Sequence, residues 1–378
     1  MAAQSAPQAT PRLGALDTFR GLTVAGMIIV NTPGSWSHVW WPLDHAEWHG
    51  FTPTDLVFPA FLCAAGVALG LSFPRTIDGS VWTKVIRRTL LLILLGWAWQ
   101  MLARPTIADF RFYGVLPRIG LCYGLAATLA ILTARRDEEG RSHLSATAIL
   151  GTAIGALVLY WALMIFVPVP GFGAGQLTPE GNLAGYVDRI TITTAHMWHG
   201  GTDAAGHVVY DPEGLLSTIP SLANVLFGML AAIAWKRSSE SSVRTIAIAG
   251  AALIVLGLAL TPIMPINNRI WTPTFALLTS GLSAIMLILC VFANRSPALR
   301  KLLSPFDIFG MNAITGYMLS LLIALAAERT GLGGMAFRSL EAAIGEPYLA
   351  SFVYAVIVTL IVLPMLIPLH RRGIHLRL

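Results

Sequence analysis

Charge is what this chain lacks most: Asp, Glu, Lys and Arg make up 12% of its 378 residues, against about a quarter in an ordinary soluble domain. Such a shortage excludes a conventional solvated surface. Cysteine is nearly absent, and Cys63, Cys122 and Cys290 all lie inside apolar runs. An odd number so placed excludes a disulfide framework. With no C-x-x-C and no Cys/His pair at ligand spacing, no metal is expected, and the three read as small core residues. The first fifteen residues, MAAQSAPQATPRLGA, hold one basic residue and no apolar stretch of the kind a cleaved signal needs, so 1–15 reads as a short cytoplasmic tail. No solenoid-period repeat is evident, nor an inverted pair of Gly/Pro-broken helices of the transporter kind. The net charge of +6 is scattered in short clusters between apolar runs rather than gathered on one face, so no nucleic-acid partner is expected.

What the chain has in abundance is apolar length. Hydrophobic residues make up 55% of it, more than a core of this size can bury in water, so lipid is its natural solvent. A span needs about 20 apolar residues. Runs of that kind lie near 16–33, 55–73, 85–103, 115–134, 146–168, 215–235, 245–264, 271–293, 308–327 and 350–369. The expected fold is therefore all-α: a polytopic transmembrane bundle of about ten spans, one membrane domain over 16–369, and a C-terminal tail at 370–378.

Counting Lys and Arg in alternate connections gives 17 on one side and 6 on the other, with Arg20 and Arg118 inside spans. By the positive-inside rule both termini are then expected in the cytoplasm, and a missed or false span would have scrambled the alternation. Two far-side connections stand out. Residues 34–54 have no Lys or Arg but hold Trp36, Trp40, Trp41, Trp48 and three histidines. Residues 169–214 form the longest loop, rich in Gly and carrying His196, His199 and His207, which read as solvated loop histidines because H-x-x-H lacks the helical i, i+4 spacing of a metallopeptidase.

Several polar positions could carry chemistry. Asp17 and Arg20 sit three apart on one helix face, as an interfacial ion pair or with the guanidinium turned to an anionic ligand such as a phosphate. The stretch from Trp41 to Gly50 packs Asp44, His45, Glu47, Trp48 and His49 together. It suits either an interfacial aromatic belt or a site whose histidine acts as general base or nucleophile. It runs into a helix start with Thr52 at the N-cap, Pro53 first and Asp55 third, so free helix N–H groups face the cluster. Asn31, ending the first span, reads as a C-cap or as a hydrogen-bonding partner of a carbonyl oxygen or of His45. Arg118 near the start of its span faces the bundle interior or snorkels. Asp211-Pro212-Glu213-Gly214 supplies acidic residues to a helix start. Asn267, Asn268, Asn312 and Tyr317 are expected to serve helix packing.

The runs LDTFRGLTVAGMIIVN, DHAEWHGFTPTDLVFPAFLCAAGVAL, GVLPRIGLCYGL, YDPEGLLSTIPS and GMNAITGYM follow one another in an order that resembles the heparan-α-glucosaminide N-acetyltransferase family. Its bacterial members belong to the transmembrane acyltransferase superfamily and include proteins called N-acetylglucosamine-related transporters. The resemblance implies transfer of acetyl from cytosolic acetyl-CoA to the amine of a terminal glucosamine across the membrane. It matches His45, in the pattern H-A-x-W, to the family's catalytic histidine and Asn31 to its asparagine. It also places Arg118 and Glu213 in shared motifs. His49 stands where the eukaryotic members have Asn, and their large lumenal domain has no counterpart here.

Acyl transfer to an amine needs a base for the ammonium proton and donors for an oxyanion. His45 suits the base, or an acetyl carrier, and Asn31 with the N–H groups opening the second span suits the oxyanion. Arg20 and Arg118 are the candidates for the phosphates of acetyl-CoA, and Asp44, Glu47, Trp48, His49, Asp55 and Glu213 for the amino-sugar acceptor. A homodimer embedded in lipid, in the inner membrane of a Gram-negative cell, is expected with this family. The alternative function is transport of N-acetylglucosamine or a related amino sugar.

Overall fold

The computed structural model describes residues 14–237 and 239–374, so much of both expected tails, 1–13 and 375–378, lies outside the described residues. The chain is almost entirely helical. Its first four helices are α1 (Gly14–Asn31), α2 (Val57–Leu71, preceded by a 3-10 turn at Pro53–Leu56), α3 (Gly79–Ala103) and α4 (Val115–Leu132). Then come α5 (Ala146–Phe166), the short α6 (Leu183–Ile192), α7 (Thr218–Arg237), α8 (Ser239–Ala259) and α9 (Pro273–Arg295). The last four are α10 (Pro297–Met311), α11 (Ala313–Thr330), α12 (Leu332–Ile344) and α13 (Pro347–Arg371). Among the described residues eight helices are long and apolar enough to cross a membrane, and α10 with α11 makes a ninth, bent by 84°. The helix at the first expected span, α1, is long enough but falls outside that set, as its Asp17, Arg20 and Asn31 dilute its apolar run. Each of the ten expected runs thus has a helical counterpart.

Helices form here because only they, or a closed barrel, satisfy every backbone group inside hydrocarbon. Their ends are marked in the usual ways. Asp78 accepts from Ser80 N at 2.8 Å to open α3, and Pro273 starts α9 just after Thr272. Connections gather at two ends, as alternating spans require. At one end Gly50 N donates to Ile266 O, Phe112 N to His196 O, and Gly34 N to Ser351 O. At the other, Ser142 N donates to Arg75 O and Lys236 Nζ to Gly70 O.

α2, α7 and α9 form the most enclosed layer, while α3, α5, α8 and α13 turn most of their surface outward. Glycine lets the inner helices meet backbone to backbone. A Cβ on Gly66 of α2 would sit 1.9 Å from Val225 O of α7, and one on Gly228 would sit 2.1 Å from Cys63 O. With no hydrophobic drive between helices in lipid, such close approach is what dispersion and packing need.

Three features differ from the sequence reading. α6 and α12 are amphipathic helices inside connections, too short to register as spans. A two-stranded hairpin pairs β1 (Arg135–Arg136) with β2 (Ser142–His143). The ninth run is broken at Asn312, where apolar arms on both sides hid the change of direction.

Candidate active site

The site is built at the end of the bundle where α1 finishes and α2 begins. Pro53 opens the 3-10 turn, and Asp55 in its third position reaches back so that Thr52 N donates to Asp55 Oδ2 at 2.9 Å. The hydroxyl of Thr52 donates to Asp44 O at 2.6 Å and that of Thr54 to Pro42 O at 3.1 Å, pinning the preceding loop onto the turn. His45 N donates to Asp44 Oδ1 at 2.8 Å. These bonds hold the His45 ring against the Asp55 carboxylate.

His45 Nδ1 lies 2.6 Å from Asp55 Oδ1, and the carboxylate side chain is fully buried while the imidazole keeps 37% of its surface. An ionised carboxylate only accepts, so Nδ1 carries the hydrogen and Nε2 keeps its lone pair. Asn268 completes the triad: its amide donates to Asp55 Oδ1 at 2.9 Å and lies 3.2 Å from His45 Nδ1. Because Nδ1 already points its hydrogen at Asp55, the Asn268 donor serves the carboxylate and the second contact is proximity.

Asn268 comes from the connection between α8 and α9, far from His45 in sequence. That connection is rigid. Asn267 N donates to Thr272 Oγ1 and Ile270 N to Asn267 Oδ1, both at 3.0 Å, while the Asn267 amide lies 3.2 Å from His49 Nδ1. Trp271 is buried with φ of 50°, a conformation that costs a bulky residue about 1–3 kcal/mol. It is held there by Phe58 and Phe275 edge-on to its ring and by its own Nε1 donating to Asn224 Oδ1 at 3.0 Å. So Asn267 and Asn268, expected to serve helix packing, instead meet the two histidines. Two adjacent asparagines in a short connection were the available signal, but their partners lie some two hundred residues away.

A second polar cluster lies at the same end. Arg111 grips Asp211 through Nε at 2.9 Å and Nη2 at 2.6 Å, and Nη2 also meets Glu213. Burial opposes the charge, but the carboxylates of Asp211 and Glu213 outweigh it and push the Arg111 pKa up. Trp198 N donates to Asp211 Oδ2 at 2.8 Å, tying the long loop to this ion cluster. Asp188 of α6 is buried; its Oδ1 accepts from Leu215 N at 2.8 Å and its Oδ2 has no partner among the described residues. Burial raises its pKa to about 8.

The remaining candidates are distributed as follows. Asp44 braces the His45 backbone, Glu47 is exposed, and Trp48 donates through Nε1 to Leu177 O at 2.7 Å with Tyr210 edge-on at 4.9 Å. His49 faces Asn267, and Glu213 belongs to the Arg111 cluster. Asn31 ends α1 exposed, its amide donating to Met27 O at 2.8 Å with one N–H left over. Arg20 sits half-buried near the other end of α1, about 16 Å along the axis from Asn31.

Arg118 is 1% exposed and engaged by the start of α7: it donates to Ser217 Oγ at 2.6 Å, Gly214 O at 2.8 Å and Pro212 O at 3.2 Å, beneath the Trp271 ring. Both terminal nitrogens fasten α4 to the start of α7, while the buried Nε–H has no partner among the described residues. The loop histidines go separate ways, His196 to Phe110 O, His199 to Arg104 and His207 to Asp203.

Residues 12–168 match the family model described as heparan-alpha-glucosaminide N-acetyltransferase, catalytic. The human heparan-alpha-glucosaminide N-acetyltransferase is 28% identical over 354 residues, which is 82% of this chain and 52% of the human protein. The mouse protein of that name is 27% identical over 353 residues, 81% of this chain and 53% of its own. The chain therefore spans about half the length of the curated relatives it matches. The chain is thus similar to the heparan-alpha-glucosaminide N-acetyltransferases, and the stretch that matches the family model carries Asn31, His45 and Asp55.

Proposed function

We propose that this protein is a transmembrane N-acetyltransferase that moves acetyl from acetyl-CoA to the amine of a glucosamine-type sugar, with His45 as base or acetyl carrier. The observation that carries the reading is the buried Asp55 carboxylate holding His45 by Nδ1, in a ring that keeps 37% of its surface and whose Nε2 has no partner among the described residues. In direct transfer Nε2 removes a proton from the sugar ammonium. The freed amine attacks the thioester carbon, a tetrahedral oxyanion forms, and the C–S bond breaks as the CoA thiolate leaves. The attacking nitrogen gives up its second proton to water as the amide forms, and the proton on Nε2 passes to the thiolate, so His45 ends as it began. Asp55 stabilises the imidazolium in between, and Asn268 keeps the carboxylate in place. In the carrier variant Nε2 itself attacks the thioester and the CoA thiolate leaves; the sugar amine then attacks the acetyl-imidazole, the Nε2–C bond breaks, and the proton the amine loses passes to the thiolate.

Asn31, with its spare N–H at the exposed end of α1, is our candidate oxyanion donor. The acceptor would meet Trp48, His49, Asp44 and Glu47 around His45, with Glu213 behind them. The donor's phosphates would lie toward the opposite end of the bundle, where Arg20 and the basic connections are. With both termini cytoplasmic, that end faces the cytosol and the His45 end the periplasm of a bacterial inner membrane. Acyl transfer assayed with purified protein, acetyl-CoA and glucosamine tests the reading; acetylated sugar supports it. The break at Asn312 favours a second reading, transport of an amino sugar, since broken spans line the sites of many carriers. Sugar uptake into CoA-free proteoliposomes, with no acetylated product, would replace the first reading by the second.

A further inference from the structure

Two apolar cavities of about 370 Å³ and about 400 Å³ lie side by side along α8, floored by α7 and α9; the first also reaches Phe19 of α1 and Cys63 and Val67 of α2, and the second lies between α5 and α8. They share Leu150, Phe227, Leu253 and Leu256, so they form one cleft. It follows α8 from Thr245 past the helix end to Ile263, a distance of about 25 Å, close to the thickness of a bilayer's hydrocarbon core. Among the described residues no charged side chain lines it. Its rim residues Ile154, Val158, Leu256 and Ile263 are exposed, so the cleft opens sideways, to lipid rather than to water.

Two observations at the His45 end set this cleft apart from an ordinary lipid-facing seam. Trp161 lines it there, and its buried Nε1–H has no partner among the described residues. An unpaired N–H in hydrocarbon is costly, so a ligand oxygen at that depth would remove a standing penalty. Thr274, also in the lining, donates to Pro265 O at 3.1 Å and bonds Thr272 at 3.0 Å; Thr272 in turn receives Asn267 N. The cleft thus ends beneath the connection whose Asn267 and Asn268 face His49 and His45.

We propose that the cleft holds the hydrocarbon chain of a lipid-anchored amino sugar, placing the amine of its headgroup at His45. The inference rests on the acetyltransferase reading and names its acceptor class: an amphipathic glucosaminide delivered from the bilayer. The chain occupies the seam between α5 and α8, an oxygen near the head accepts from Trp161 Nε1, and the sugar passes under the connection at 264–272. Anchoring makes docking of the headgroup an intramolecular event and raises its effective concentration at the site.

The test uses full-length protein in lipid nanodiscs, acetyl-CoA, and either glucosamine or dodecyl glucosaminide with a diazirine in its chain. Expected are a KM for the dodecyl sugar about tenfold or more below that of glucosamine, and photolabel on α5 and α8 that unlabelled dodecyl glucosaminide removes. Val158→Trp and, separately, Ile154→Trp fill the rim; each should raise the KM for the dodecyl sugar toward that of glucosamine and leave turnover of glucosamine unchanged. Equal labelling by a diazirine lipid without the sugar would mean ordinary annular lipid and overturn the proposal. So would a KM that neither chain length nor either substitution moves. Acetylation of glucosamine without cleft labelling would sink the cleft and spare the enzyme; competed labelling without any acetyl transfer would sink the enzyme and spare the cleft.

Discussion

Replacing Asp55 by Asn tests the geometry of the site at one atom. In the wild type Oδ2 accepts from Thr52 N at 2.9 Å and Oδ1 receives His45 Nδ1–H at 2.6 Å. An Asn in the same rotamer has a single oxygen, and the Thr52 N–H, buried and fixed by the helix start, claims it. The amide NH2 must then face His45, where it can only donate. Nδ1 becomes the acceptor, the ring hydrogen moves to Nε2, and the lone pair that takes the substrate proton is gone. A tautomer reversal of this kind in a serine-protease triad costs about 10⁴ in kcat, so a loss of about 10³–10⁴ is expected here, equivalent to about 4–5 kcal/mol of barrier. KM should change little, since the carboxylate is buried beneath the ring. The assay is acetyl transfer from radiolabelled acetyl-CoA to glucosamine, run beside a melting curve to establish that the variant is folded. A folded Asp55→Asn protein keeping more than about a tenth of wild-type kcat would refute the assigned tautomer and with it the role of the pair.

Other expectations follow from the same contacts. Asn268→Ala removes the amide that braces Asp55 Oδ1 at 2.9 Å and should slow turnover about tenfold with the fold intact; an unchanged rate would return Asn268 to a packing role. Trp271→Phe leaves Asn224 Oδ1 without its donor in the bundle interior and should cost about 1–3 kcal/mol, read as a lower melting temperature. For Asp188, with its pKa raised to about 8, the native state holds a proton that the unfolded chain releases near pH 4, so wild-type stability should fall as pH rises between those values. Asp188→Asn lacks that titration, so its melting temperature should gain on the wild type from pH 5 to pH 9; parallel curves would show that Asp188 is ionised in the fold.

Membrane spans were legible because hydrocarbon enforces a simple rule: about 20 apolar residues in a row, with basic residues between them. The breaking of the rule at α1 was legible too, since Asp17 and Arg20 stood out against their surroundings. The turn at Asn312 was not, because a helix that changes direction inside an apolar run keeps its composition. Neither were α6 and α12, whose short amphipathic runs fall below the length of a span.

At the site, His45, Asp55 and the helix start between them lie within about a dozen residues, and local chemistry pointed to all of them. Their pairing through Nδ1 depended on the loop closing over Pro53, which Thr52 and Thr54 accomplish by bonds to Asp44 O and Pro42 O. Asn268 was out of reach because only tertiary packing, fixed by the strained Trp271, carries it to Asp55. Arg111 counted as one loop charge among six on its side, yet it anchors Asp211 and Glu213. A buried Arg118 was foreseeable from its place in a span; that it spends its donors on the start of α7 was not.

The central claim is that His45 performs the chemistry. Purified wild type and His45→Ala, each given radiolabelled acetyl-CoA and glucosamine, decide it most directly. Acetylated sugar is expected from the wild type and no product above background from the folded variant. Full acetyl transfer by His45→Ala would contradict it.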